Sequence, residues 1–282
     1  MKKLTIAVLL ALLLAGCGQE MINGDGEAVK RSVTVTDARP VRLLQATAYT
    51  SAHYGIPADN FTLQVAVKDL AFAKEVDLWI KTESGAWTNY RPGYFYKKAG
   101  NTEIWTIDAT RTVYPYSYGY ELPALAKPYE FAIRYKVNGK TYWDNNGGAN
   151  YTLGYKDGEL LGKDVNALVL YDGAWNNTYA GTGTFYGQIL VRNLAYEKQV
   201  EIVYTTDNWA TTKAVPCHFV PSNWFPYGTT VTYPNAQGAE RWSFQVEIPL
   251  GAPNVEYAVS YRVNGVNYWD NNFGMNYKIS VQ

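Results

Sequence analysis

The most regular feature of the chain is an alternation of apolar and polar positions at period two. Val65 and Val67, then Val76, Leu78 and Ile80, carry it in the first half; Ile189 and Val191, then Val200, Ile202 and Tyr204, carry it in the second. Successive side chains of a strand point to opposite faces, so this pattern predicts half-buried β-strands. Two tight turns punctuate it. Val137-Asn138-Gly139-Lys140 and Val263-Asn264-Gly265-Val266 place Asn-Gly between apolar runs, and those residues tolerate the positive φ of a two-residue hairpin turn. Beyond the N-terminal segment no helix of three turns is visible.

The strands belong to two copies of one unit. AVKDLAFAKEVDLWIKT at 66–82 lies over LVRNLAYEKQVEIVYTT at 190–206, with Leu70 answering Leu194. FAIRYKVNGKTYWDNNGGANY at 131–151 lies over YAVSYRVNGVNYWDNNFGMNY at 257–277, and Trp105-Thr106-Ile107 answers Trp242-Ser243-Phe244. Each copy is about 110 residues, the size of one sandwich domain. The chain is therefore expected to be all-β, with two tandem antiparallel β-sandwiches over 41–155 and 164–282. Trp105 and Trp242 sit inside alternating strands and are expected in the cores. GYKDGELLGK at 154–163 reads as a short hydrophilic joint that keeps the domains near each other.

Residues 1–16 carry Lys2 and Lys3, an apolar run from Leu4 to Leu14 and a small-residue exit at Ala15-Gly16. That is a secretory signal pattern, too short for a spanning helix. Leu14-Ala15-Gly16-Cys17 resembles the lipobox of bacterial lipoproteins, which implies lipid on the Cys17 thiol, with Gly18 next pointing to the outer membrane. Residues 17–40 are then a polar, flexible tether. Lipidation leaves Cys217 alone, so no intramolecular disulfide is expected, and Cys217 reads as a small buried hydrophobe.

Composition narrows the chemistry. The chain has 25 basic and 25 acidic residues, or 23 against 25 once Lys2 and Lys3 are removed, so there is no basic footprint for nucleic acid. It has 25 Tyr and 9 Trp against 2 His and 2 Cys, which favours ring stacking over metal or thiol chemistry. His53 and His218 have no ligand spacing. The Asp-Asn-Asn-x-Gly runs fail as calcium loops, because the twelfth positions are Tyr155 and Val281 where such a loop requires Glu. No cofactor is implied. Glycoside hydrolysis needs two flanking carboxyl groups, and two binding units leave no stretch for a catalytic domain.

The order V-x-N-L-A-Y-E-K-x-V, T-T-D-N-W and Y-x-V-N-G-x-x-Y-W-D-N-N-x-G-x-N-Y resembles the starch- and glycogen-binding modules of carbohydrate-binding module family 21. The resemblance implies an immunoglobulin-like sandwich and α-1,4-glucan binding. It places Trp209, with Trp87 as its counterpart, and Trp269, with Trp143 as its counterpart, on the main sugar platform. It places Asn145, Asn146, Asn150, Asn271, Asn272 and Asn276 in ligand-binding loops, and Tyr196 (Phe72 in the first copy) in a second site. A further platform tyrosine of the fungal module is Ala258 here, and Ala132 in the first copy, so the platform is expected to rest on two rings. The second site's other aromatics have no clear counterparts near Ala239 or Thr102.

Rings that cover a sugar face, with amides that donate and accept around its rim, suit a glucose polymer. Asp144 and Asp270 read as loop braces bonding backbone N–H groups. Trp87 and Trp209, beside Gly, Asn and Thr, are expected to be exposed. The first copy alone carries ATRTVYPYSYGY at 109–120, readable as a glucan-facing flap or as a strand extension, and Trp224-Phe225-Pro226-Tyr227 shares that ambiguity. The expected function is non-catalytic, lipid-anchored binding of starch, maltodextrin or glycogen at the bacterial envelope, serving partner amylases or glycan transporters. The alternative is an adhesion or envelope-assembly protein that binds another glycan or a protein.

Overall fold

The computed structural model describes residues 39–53, 55–112, 123–225 and 228–282. Cys17, the signal segment, nearly all of the tether, Tyr114, Tyr116, Tyr118, Tyr120, Pro226 and Tyr227 lie outside them. The first unit contains β1 (Val41–His53), β2 (Ile56–Lys68), β3 (Lys74–Lys81), β4 (Trp87–Pro92), β5 (Tyr94–Ala99), β6 (Thr102–Asp108), β7 (Arg111–Thr112), β8 (Tyr129–Val137), β9 (Lys140–Asp144), β10 (Tyr151–Leu153) and β11 (Gly158–Leu161). The second contains β12 (Ala167–Asn177), β13 (Thr182–Arg192), β14 (Lys198–Thr205), β15 (Lys213–Pro216), β16 (His218–Val220), β17 (Ser222–Trp224), β18 (Thr230–Thr232), β19 (Ala239–Pro249), β20 (Asn254–Val263), β21 (Val266–Asp270) and β22 (Tyr277–Ser280).

Each unit is a sandwich of two antiparallel sheets. In the first, β11-β1-β2-β6-β5 faces β10-β8-β3-β4, with β9 also on β8; in the second, β12-β13-β19-β16 faces β15-β14-β20-β21, with β22 also on β20. The alternation is realised as expected. Val65, Val67, Val76, Leu78 and Ile80 are buried in the first core, and Ile189, Val191, Val200, Ile202 and Tyr204 in the second. Trp105 and Trp242 are half-buried and pack against the edges of those cores, their indole N–H groups donating to Glu103 and Glu240. Both Asn-Gly turns have positive φ at both residues, 52° and 70° at Asn138-Gly139 and 52° and 74° at Asn264-Gly265. They close the β8–β9 and β20–β21 hairpins. Cys217 is buried in the second core, as expected.

A bulge recurs at the same place in both copies, between Leu43 and Gln45 on β1 and between Val169 and Tyr171 on β12. An extra residue re-aims the strand locally. Here Leu44 and Leu170 join an apolar cluster between the two units, with Ala66, Ile104, Leu161, Val165, Leu168 and Leu190.

The joint differs from its hydrophilic reading. Gly158–Leu161 is a strand of the first unit's sheet, pairing Leu161 with Gln45 and Gly158 with Ala48. Glu159 is only 1% exposed and accepts from Arg241 and from the Tyr233 hydroxyl at 2.7 Å. Its polarity answers a half-buried arginine of the second unit rather than solvent. Arg192 Nη2 donates to the carbonyl of Gly162 at 2.6 Å, and Phe225 stacks on Tyr49 with ring centroids 4.4 Å apart. Phe225 therefore belongs to the contact between units, whereas Trp224 is exposed.

Candidate carbohydrate-binding site

The W-D-N-N loops follow β9 and β21 and are built alike. Asp144 is buried and accepts from the backbone N–H of Leu43 at 2.6 Å and from the Tyr151 hydroxyl at 3.0 Å. Asp270 accepts from Val169 N–H at 2.9 Å and from the Tyr277 hydroxyl at 2.8 Å. Each aspartate thus ties its loop to the bulge of the preceding strand pair, which is the bracing role expected. Burial pushes the Asp270 carboxyl up, opposed by those hydrogen bonds.

The asparagines also hold the loop together. Asn145 Oδ1 accepts from Gly148 N–H at 3.0 Å, Asn146 Nδ2 donates to the Asn150 carbonyl at 3.0 Å, and Asn150 Nδ2 donates to Glu130 Oε1 at 3.1 Å. In the second copy Asn271 Oδ1 accepts from Gly274 N–H at 2.9 Å and Asn272 Nδ2 donates to the Asn276 carbonyl at 3.0 Å. Asn146, Asn150, Asn272 and Asn276 all have φ between 52° and 59°, a left-handed conformation that asparagine tolerates better than most residues. Spacing alone did not reveal this bracing role, which Asn145, Asn146, Asn150, Asn271 and Asn272 perform with side-chain amides and Asn276 with its backbone carbonyl.

The tryptophans differ between copies. Trp143 is 48% exposed and stands edge-to-face on Trp79, centroids 5.7 Å apart at 71°. Arg134 covers the Trp79 ring at 5.0 Å and bonds Asp77. Trp79 takes the place that Val203 holds in the second copy, on the solvent phase of β3, and that phase was the readable signal for it. Trp87 is 38% exposed at the start of β4, as expected. Trp143 meets Trp79 and not Trp87.

In the second copy Trp269 is half-buried and packs with Val203, Ala258 and Trp209. Trp209 departs from its expected exposure: it is 8% exposed. The Thr205–Thr211 loop folds it inward. Trp209 N–H donates to Thr205 Oγ1 at 3.1 Å and its Nε1–H donates to Glu256 Oε2 at 2.7 Å. Asp207 closes the loop by accepting from Thr205 and Thr211 hydroxyls, which hold its carboxyl down to about 2. Trp209, with Val203 and Ala258, thus forms the buried apolar floor on which Trp269 packs.

Tyr196 and Phe72 are almost wholly exposed. Tyr196 precedes β14 and Trp209 follows it, so eight residues of strand, about 25 Å, hold these two rings at opposite ends. The Leu-Ala turns beside Tyr196 and Phe72 are anchored by buried lysines, Lys198 on Glu240 and Asn193, and Lys74 on Glu103 and Asp69. Among the described residues no group of three His, Cys, Asp or Glu is arranged to hold a metal.

The sequence model of the carbohydrate/starch-binding module family 21 matches residues 49–154 and again 169–280. The chain belongs to this family. Among curated proteins it is similar to protein phosphatase 1 regulatory subunit 3C of Bos taurus, 32% identical over 99 residues, and regulatory subunit 3B of Homo sapiens, 37% identical over 98. These matches cover 34% and 33% of this chain but only 28% and 30% of those proteins.

Among solved structures, the starch-binding domain of Rhizopus oryzae glucoamylase, in complex with beta-cyclodextrin and maltoheptaose, is 29% identical. It covers 42% of this chain and 94% of its own, with a TM-score of 0.29. The carbohydrate-binding module of a muscle glycogen-targeting subunit of protein phosphatase-1 is 22% identical, covering 41% of this chain and 75% of its own, TM-score 0.30. By family the chain is a tandem carbohydrate/starch-binding module, built on two antiparallel β-sandwiches.

Proposed function

We propose that this tandem family 21 module is a non-catalytic, lipid-anchored binder of α-1,4-glucan at the bacterial cell envelope, on the outer membrane. It holds polymer for amylases or glycan transporters of the same envelope. One observation carries the reading: the same tryptophan, Trp143 and Trp269, stands at least partly open immediately before the same braced loop in both copies. An indole face removes apolar C–H surface of a glucosyl ring from water, worth about 1–3 kcal/mol for a fully covered ring. Each amide–hydroxyl bond nets only about 1 kcal/mol against water. Each copy is then a weak site, and two on one chain gain avidity on a polymer long enough to reach both.

Affinity electrophoresis in starch, glycogen, dextran and cellulose gels tests this. Retardation by starch and glycogen is expected, and retardation by cellulose alone, or by nothing, overturns it. Trp143→Ala with Trp269→Ala is expected to abolish starch retention without unfolding. For the anchor, Cys17→Ser is expected to move the protein out of the membrane fraction, and continued detergent-sensitive membrane retention would count against lipidation.

A further inference from the structure

A cleft of about 380 Å³ opens between the two units, within the range of small-ligand pockets. One wall is the second copy's W-D-N-N-F loop, with Trp269, Asn271 and Phe273; the other is the outer face of the first unit's sheet, with Arg42, Gln64 and Lys97. Four features suggest a built site. A bulge at Tyr96, between Phe95 and Lys97, sets Lys97 opposite Ile104, which also lines the cleft, and bulges re-aim side chains in this way. The Lys97 ammonium lies 5.3 Å from the centroid of the Tyr277 ring.

Phe273 is held at φ 60°, a left-handed conformation that costs a bulky residue free energy. The first copy has Gly147 there, and Lys163 fills the space any side chain at 147 would need. In the second copy the ring sits 4.9 Å beneath the Arg42 guanidinium and joins the apolar cluster between units. Finally, two half-buried amides line the cleft from opposite sides, Gln64 from the first unit and Asn166 from the second. Neither side chain has a hydrogen-bond partner among the described residues, so both amides are free to bond a ligand that enters the cleft.

We propose that this cleft is a composite subsite in which the first unit completes the second unit's sugar site, taking a short segment of the glucan that crosses Trp269. Rings, paired amides and a cation facing one space suit the hydroxyls of a neutral sugar. The proposal rests on the α-glucan reading above, and it makes the two copies unequal. The second binds short oligosaccharides with help from its neighbour, and the first binds without it.

The test uses the full chain in a Trp143→Ala background, which silences the first copy's platform, titrated with maltotriose by calorimetry. Adding Lys97→Met, which keeps the aliphatic stem over Tyr277, is expected to raise Kd about tenfold, as for loss of a hydrogen bond from a charged group. Gln64→Ala is expected to raise it about fivefold. Thermal melts of both variants are expected to match that of the background. Unchanged Kd in both folded variants overturns the composite cleft while leaving α-glucan binding intact. Failure of the background protein to bind maltotriose, with starch retention retained, overturns the cleft as well. Loss of starch retention by the unmutated chain overturns both readings together.

Discussion

The indole N–H of Trp209 donates to Glu256 Oε2 at 2.7 Å. That bond fixes a ring at the bottom of the second copy's platform. In the first copy Glu130 accepts instead from Lys81 and Asn150, and the ring beneath Trp143 comes from Trp79 within β3. The first platform is thus backed by a tryptophan from a strand and the second by one from a loop.

Trp209→Ala is expected to destabilise the second unit by about 3–5 kcal/mol, the cost of truncating a buried aromatic. Trp87→Ala, at a position 38% exposed, is expected to cost less than about 1 kcal/mol. Urea unfolding followed by circular dichroism separates them, and equal midpoints would place Trp209 in solvent.

Lys198 and Glu240 form an ion pair with side chains 4% and 7% exposed. Removing one partner strands the other charge, so Lys198→Ala is expected to cost about 3–5 kcal/mol. Lys81→Ala breaks a pair exposed 40% and 33% and is expected to cost less than about 1 kcal/mol. The check is a chemical denaturation series on both variants.

Burial pushes the Cys217 thiol up to about 12, with Glu201 adding to the rise. Thiolate is the reacting species, so iodoacetamide at pH 8 is expected to leave Cys217 unmodified in the folded protein and to alkylate it stoichiometrically in urea. Fast labelling of the folded chain would show the thiol open to solvent.

Asp207 lies at about 2 in the folded chain against an ordinary 3.8, lowered by hydrogen bonds from Thr205 and Thr211. A depressed carboxyl favours the folded loop above the unfolded value and loses that contribution as pH falls through the folded one. The Thr211 amide resonance in a proton–nitrogen spectrum, whose N–H donates to Asp207 Oδ1 at 2.9 Å, is therefore expected to hold its position above pH 4 and to shift as pH falls toward 2. A shift centred near pH 5 would remove Asp207 from this role.

Much of this was legible because a strand's phase is written in its own residues. Val76, Leu78 and Ile80 point inward by period, Asn138-Gly139 turns by conformational preference, and Asp144 was readable as a brace from its loop chemistry. Trp209 was misread because a tight turn of Thr, Asp and Asn is usually open, and only the backbone at φ 68° and the carboxylate of Glu256 turn the ring inward. The contact between units was invisible for a similar reason. Leu44 lies on the outward phase, opposite Val41 and Leu43, where a single leucine reads as exposed, and Glu159 looks solvated until Arg241, 82 positions away, meets it.

The strand Gly158–Leu161 has a practical consequence for anyone dissecting the protein. The family match to the first copy ends at residue 154, and a fragment cut there loses the strand that covers the outer flank of β1. The four residues it pairs with, 45–48, would then join the rest of that β1 edge as unpaired backbone, a template for another chain. Such a fragment is expected to self-associate through β1, whereas one extended to Lys163 stays protected on that side. Separating the copies at the family boundary would thus expose a sticky strand that the intact chain keeps paired.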